Sequence, residues 1–330
     1  VEEYFLAQRL ARGLGCNNID HRLREQDFSD DPVRYASVPF EKSIAGLESS
    51  DAVLLAGCNP REEAPIIGHR IRKAWCAGAS VSAINPLDWE FTFETSNDAI
   101  VAPQNLAGEL AALAREIENS TGTRAPDYLR PALDRAGDSN RHSALAARLA
   151  SADNGVVLLG QAAMGHPQAA TLRALAAYIA SATGSAFNIL ASGANSAGAW
   201  QAGAVPGKGP GGAGRDAGMN VLQMLGDPRR CYLLWGIDPE FDIDNPAAAL
   251  GALEQAGNVI AVVSHASESL RDAANVLLPL APIAESEGTL VNLDGAYTSF
   301  SAAGRARGDA RPGWKILRLI GSDLGLEGFG

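Results

Sequence analysis

The strongest constraint in this sequence is a unit that occurs twice. In the first copy the apolar run Ala52-Val53-Leu54-Leu55 ends at Gly57 and Asn59-Pro60. Residues 64–76 then have helical spacing, Gly78 closes them, and a second apolar run, residues 80–84, ends at Asn85-Pro86. In the second copy Cys231-Tyr232-Leu233-Leu234-Trp235 leads to Gly236 and Asp238-Pro239, a helical segment over 247–255, Gly257, and an apolar run over 259–264. Gly57 and Gly78 stand 21 positions apart, and so do Gly236 and Gly257. A glycine ending a strand, an Asx-Pro opening a helix and a glycine closing it make up the local grammar of a β-α-β unit.

Short continuous apolar runs, in place of alternating ones, mark strands covered on both faces, as in a parallel sheet. A third run, residues 156–159, precedes Gly160 and a helix over 169–180. Residues 2–14, 111–117 and 144–150 have helical spacing too. Strands alternating with helices predict an α/β fold of doubly wound parallel sheets with right-handed crossovers. Ligands of such sheets sit beyond the strand C-terminal tips, and here the tips carry the Gly-x-Asx-Pro turns.

A chain of 330 residues exceeds what one core usually serves, so two domains are expected. Residues 20–40 are polar and proline-punctuated and read as an excursion between them. The sequence enters a helix directly from Val1 and reads as part of a longer polypeptide.

The net charge of -11 disfavours a nucleic-acid surface. No apolar run approaches the roughly 18 residues of a membrane span. Cys16, Cys58, Cys76 and Cys231 are dispersed, which fits a reduced, cytoplasmic setting. His21, His69, His142, His166 and His265 are scattered, so no metal site is expected.

Several local patterns have ordinary explanations. Gly207, Gly209 and Gly212 satisfy G-x-G-x-x-G, but prolines flank them and no strand precedes them, so a mobile surface loop is the expectation. Lys208 is followed by glycine, which leaves no hydroxyl for magnesium. Glu285 and Glu287 read as a solvated turn before a strand. Arg305, Arg307, Arg311 and Lys315 would suit an acidic partner or form a plain solvated face. No G-x-S-x-G elbow is present.

Other words carry a resemblance. Leu10-Ala11-Arg12, Asn17-Asn18-Ile19-Asp20-His21-Arg22-Leu23-Arg24, Asn59-Pro60-Arg61-Glu62-Glu63-Ala64-Pro65 and Ala194-Asn195-Ser196-Ala197-Gly198-Ala199-Trp200 resemble the large iron-sulfur, G-type subunit of bacterial NADH:quinone oxidoreductase, respiratory complex I, in its molybdopterin-oxidoreductase-like region. Glu287-Gly288-Thr289, Val291-Asn292 and Ala310-Arg311-Pro312-Gly313-Trp314-Lys315 agree, so the likeness spans the chain.

The resemblance implies two Rossmann-like domains of the formate dehydrogenase and DMSO reductase type, one interrupted by the other. Residues 1–20 with 153–330 would form the discontinuous domain, and 21–152 the inserted one. Molybdenum enzymes place a metal ligand soon after the word matching Asn17-Asn18-Ile19-Asp20. Here His21 to Phe28 follows, with only Asp27 or Ser29 as candidates, and no metal ligand is expected.

The leading expectation is therefore a redox-silent scaffold without cofactor or activity of its own. It would support cysteine-rich iron-sulfur domains that precede it and contact other complex I subunits, peripheral to the inner membrane on its cytoplasmic side. The alternative is a fragment that retains a pterin guanine dinucleotide, whose vestigial contacts would be Asn59, Asn85, Gly236, Asp238, Ser264 and Asn292. A third reading uses the 193–218 loop to clasp a peptide or nucleotide.

Overall fold

The structure, a computed structural model, describes residues 1–33 and 39–329. Part of the expected excursion, residues 34–38, lies outside the described residues.

Both copies of the repeated unit fold as β-α-β. Strands β1 (Ala52–Ala56) and β2 (Ser80–Asn85) flank the helix Pro65–Cys76 and pair in parallel. With β3 (Ala99–Ile100), β4 (Val156–Leu159) and β5 (Ala186–Ile189) they form a five-stranded parallel sheet in the order β3-β2-β1-β4-β5. The second copy supplies β6 (Cys231–Trp235) and β7 (Asn258–Val263), joined by β8 (Val276–Pro279) in a three-stranded parallel sheet. A short antiparallel hairpin, β9 (Gly288–Val291) and β10 (Tyr297–Phe300), completes the set.

The chain leaves β1 for β2 in one direction along the sheet and reaches β4 and β5 in the other. Crossovers of one hand then place their helices on opposite faces. Two cores result. Ala52, Leu54, Ala56, Val157 and Leu159 face the helices Leu106–Thr121, Ser143–Ala150 and Ala169–Thr183. Val53, Leu55, Val156 and Leu158 face the helix Pro65–Cys76. Successive side chains alternate between faces, so burial on both explains why these runs are apolar at every position.

The second sheet buries only one face fully. Tyr232, Leu234, Val259, Ala261 and Val263 pack on Ala252, Leu253 and Leu270, whereas Leu233 and Val276 are each 44% exposed. At the far end Trp235 lies against Leu10, Leu317 and Phe329 of the terminal segments, and its indole donates to Glu3 Oε2 at 3.1 Å.

The helix Glu2–Gly13 packs beside the helix Gly313–Asp323, and Glu2 accepts from Thr289. The first residues thus pack against the last ones. The expected boundary at 153 is corrected by strand pairing. β4 and β5 complete the sheet of β1 and β2, because Val156 to Leu159 pair residue for residue with Val53 to Ala56. The first sheet therefore ends at Ile189, not before Val156.

Candidate functional site

The strands adjacent at the reversal of order are β1 and β4, so their tips mark the crevice where such sheets place a ligand. Here the chain fills that crevice itself. Glu63 Oε1 accepts the Asn59 N–H at 2.7 Å, and Oε2 accepts the Gln161 N–H at 2.8 Å, so one carboxylate bridges both tips. Burial pushes the Glu63 carboxyl above its ordinary range, although both N–H bonds favour the charged form.

The glycines of the two tips are pressed together. A Cβ on Gly160 would stand 2.3 Å from Cys58 Cα, and one on Gly57 would stand 2.7 Å from Ala163 N. Gly57 also has φ 54°, a conformation that glycine tolerates. Asn85 ties β2 to the same place: its Oδ1 accepts the Cys58 N–H at 2.9 Å, and its amide donates to the Cys58 carbonyl at 3.3 Å. Cys58 is fully buried, and burial followed by the Glu63 charge pushes its thiol well up, so it acts as apolar filling.

The second copy is closed in the same way. Asp242 Oδ2 accepts the Asp238 N–H at 2.7 Å, the counterpart of Glu63 on Asn59. Asp238 in turn accepts from Glu240 N, Ser267 N and the Ser267 hydroxyl, which binds the tip of β6 to the loop after β7. Gly236 turns the chain at φ 66°. Ser264 is exposed beside His265, with 3.1 Å between hydroxyl and Nδ1.

The structure thus brings Asn59 together with Asn85, and Asp238 with Gly236 at a second tip. It does not bring Asn292 to either: that side chain accepts from Ala296 N at 2.8 Å and closes the β9 to β10 turn. Sequence reasoning missed Glu63 and Asp242. The word Asx-Pro-x-x-acid stands in both copies, the acid four positions after each Asx, and would have identified them.

In the segment that follows Asn17-Asn18-Ile19-Asp20, the two candidate ligands Asp27 and Ser29 are hydrogen-bonded within the fold. Asp27 accepts from Ser29 N, the Ser29 hydroxyl and Ala170 N, so both candidates are spent on local turns and on the helix Ala169–Thr183. His21 sits between Tyr4 and Trp200, with Nδ1 3.1 Å from the Ala204 carbonyl. Burial lowers its proton affinity. Arg22 is paired with Asp20 and Asp31 and lies over the rings of Phe28 and Trp200. Among the described residues no group of three or more His, Cys, Asp or Glu could hold a metal.

The glycine-rich loop is tied down, contrary to the expectation of mobility. Arg12 donates to the carbonyls of Gly203, Val205 and Lys208, and Val205 is fully buried. Among the described residues no helix is long and apolar enough to cross a membrane.

Two parallel-sheet units with carboxylate-bridged strand tips define an α/β protein. Similarity to known proteins narrows that class. The molybdopterin oxidoreductase family model matches residues 1–322, and the chain belongs to that family. It is 27% identical to the mitochondrial NADH-ubiquinone oxidoreductase 78 kDa subunit of Neurospora crassa, over 99% of this chain and 38% of that protein. It is 28% identical to the G-type subunit of NADH-quinone oxidoreductase from Mycobacterium tuberculosis, over 99% of this chain and 40% of that protein. The chain spans about two-fifths of the length of these relatives.

Among solved structures, the formyltransferase/hydrolase complex of Methylorubrum extorquens superposes with TM-score 0.66 at 18% identity, over 100% of this chain and 90% of that one. Acetylene hydratase from Pelobacter acetylenicus also gives 0.66, at 12% identity, over 99% of this chain and 54% of that one. These similarities bear out the α/β fold and the resemblance to the G-type subunit.

The family name implies a pterin cofactor, and the residues do not fit it. The main-chain N–H groups of Asn59, Gln161 and Asp238 at the tips already have carboxylate acceptors.

Proposed function

We propose that this chain is the cofactor-free body of a G-type subunit of NADH:quinone oxidoreductase, and that it serves architecture while electrons pass through iron-sulfur domains elsewhere in the subunit. The observation that carries the reading is the Glu63 bridge between the tips of β1 and β4. A phosphate would have to displace a carboxylate that already satisfies both donors.

On this reading the chain is a discontinuous unit interrupted by an inserted one, with the second crossing near Ile189. Its partners are its own iron-sulfur domains and neighbouring subunits of the complex, and it works at the cytoplasmic side of the inner membrane. Relatives named as G-type and 78 kDa subunits of that oxidoreductase support the assignment to such a complex.

The test is an inventory of the purified chain: molybdenum and iron by elemental analysis, and pterin by fluorescence after oxidative release. The expected content is far below one per chain for each. One molybdenum and two pterins per chain would reinstate the pterin-retaining alternative.

A further inference from the structure

A cavity lies away from the strand tips. A space of about 540 Å³ lies between the helix Glu2–Gly13, the glycine-rich loop and the last turn of the chain. Its wall carries three guanidinium groups, those of Arg9, Arg12 and Arg215. In a protein of net charge -11 such a concentration of positive charge calls for an explanation.

The hydrogen bonds of Arg12 all go to uncharged oxygens. Nη1 donates to Gln8 and to the Gly203 carbonyl at 3.0 Å, and Nη2 donates to Val205 and Lys208 at 3.2 and 2.6 Å. Its remaining donor, Nε, is buried and has no acceptor. Burial and the nearby charge of Arg215 both lower its proton affinity. Arg9 donates to the Glu327 main-chain carbonyl at 2.9 Å, so that contact does not use the carboxylate of Glu327, which also lines the wall. Arg215 folds over Gly209, where a Cβ would stand 2.9 Å from its Nε. The absence of that Cβ gives the guanidinium its place. Arg9 and Arg12 are half-buried and Arg215 is exposed; like charges around one space repel each other, and a bound anion offsets that repulsion.

Phe5, Pro210 and Leu326 give the wall an apolar stretch. We infer that this cavity is a binding site for a small organic phosphate, its phosphate held by Arg9 and Arg215 in the field of the Arg12 charge and its apolar body lying against Phe5, Pro210 and Leu326. Planar guanidinium groups match phosphate oxygens in pairs, which favours this class over a single carboxylate. The site is separate from the closed strand tips, so it stands whether or not the scaffold reading does.

The experiment is calorimetric titration of the full chain with inorganic phosphate and with phenyl phosphate, at an ionic strength held constant with chloride. Phenyl phosphate should bind at one site, about tenfold more tightly than inorganic phosphate, as an apolar wall would add. Arg215→Gln should weaken both by about tenfold, the effect of one charge-assisted contact, and leave the melting temperature unchanged because Arg215 is exposed. Leu326→Ser should weaken phenyl phosphate alone. Absence of saturable heat with either compound, or equal affinities in the wild type and Arg215→Gln, would overturn the assignment.

Discussion

At the scale of single residues, Glu63 does most to define the molecule. It stands four positions after Asn59 and reaches back to its N–H while also taking the Gln161 N–H from another strand tip. Glu63→Ala should lower stability by about 1–3 kcal/mol, read by urea denaturation, because two main-chain donors lose their acceptor. Its folded-state affinity for a proton is raised by burial. The sign follows: the folded form binds the proton over a range of pH where the unfolded chain has released it, so stability falls as pH rises from below the ordinary carboxyl value through the raised one. That decline should be smaller in Glu63→Gln, and an identical pH profile in the two proteins would show that Glu63 is not the group responsible. The first contact of Glu63 was legible in the repeated Asx-Pro-x-x-acid word. The second was not, because Gln161 lies 98 positions away and only the sheet brings it near.

Among the elements, the pairing of β1 with β4 is the least tolerant of change. Gly160→Ala would press a methyl group into the Cys58 backbone, and overpacking of this kind costs about 1–3 kcal/mol. Gly57→Ala should cost a similar amount, whereas Gly251→Ala, with open space around it, should cost nothing or stabilise its helix. Thermal melts of the three variants check the order. Strands β1, β2, β4, β6 and β7 were readable as apolar runs. β5 and β8 were not: Ala186–Ile189 and Val276–Pro279 are short, and β8 has three of its four residues exposed, so neither stands out from the sequence around it. The β9 to β10 hairpin was half legible, its first strand in the run after Glu287 and its second hidden among polar residues.

Across the whole molecule, the segment over residues 18–31 acts as a strap between the two units. On one side Arg173, in the helix Ala169–Thr183, pairs with Asp30 and donates to the Asp27 carbonyl at 3.0 Å. On the other side Asn18 accepts from Met219 N, Asp20 from Val221 N, and Arg24 and Gln26 donate to residues 241 and 244. Arg22, 4% exposed, fixes the middle through Asp20 and Asp31. Removing one partner of a buried ion pair costs about 3–5 kcal/mol, so Arg22→Met should destabilise the chain by that order. Because the strap joins the units, calorimetry of this variant should show two separated unfolding transitions where the wild type shows one. A single lowered transition would mean that the units are coupled elsewhere.

The sequence by itself determined the repeated β-α-β unit, the parallel character of both sheets, and the family. These follow from spacing, turn residues and apolar runs, which are local along the chain. Which strands share a sheet, where one unit gives way to the next, and whether the tips remain open were decided only by the tertiary structure. A carboxylate's second partner and a glycine's missing Cβ acquire meaning only when distant segments are pressed together, and no local pattern records that contact.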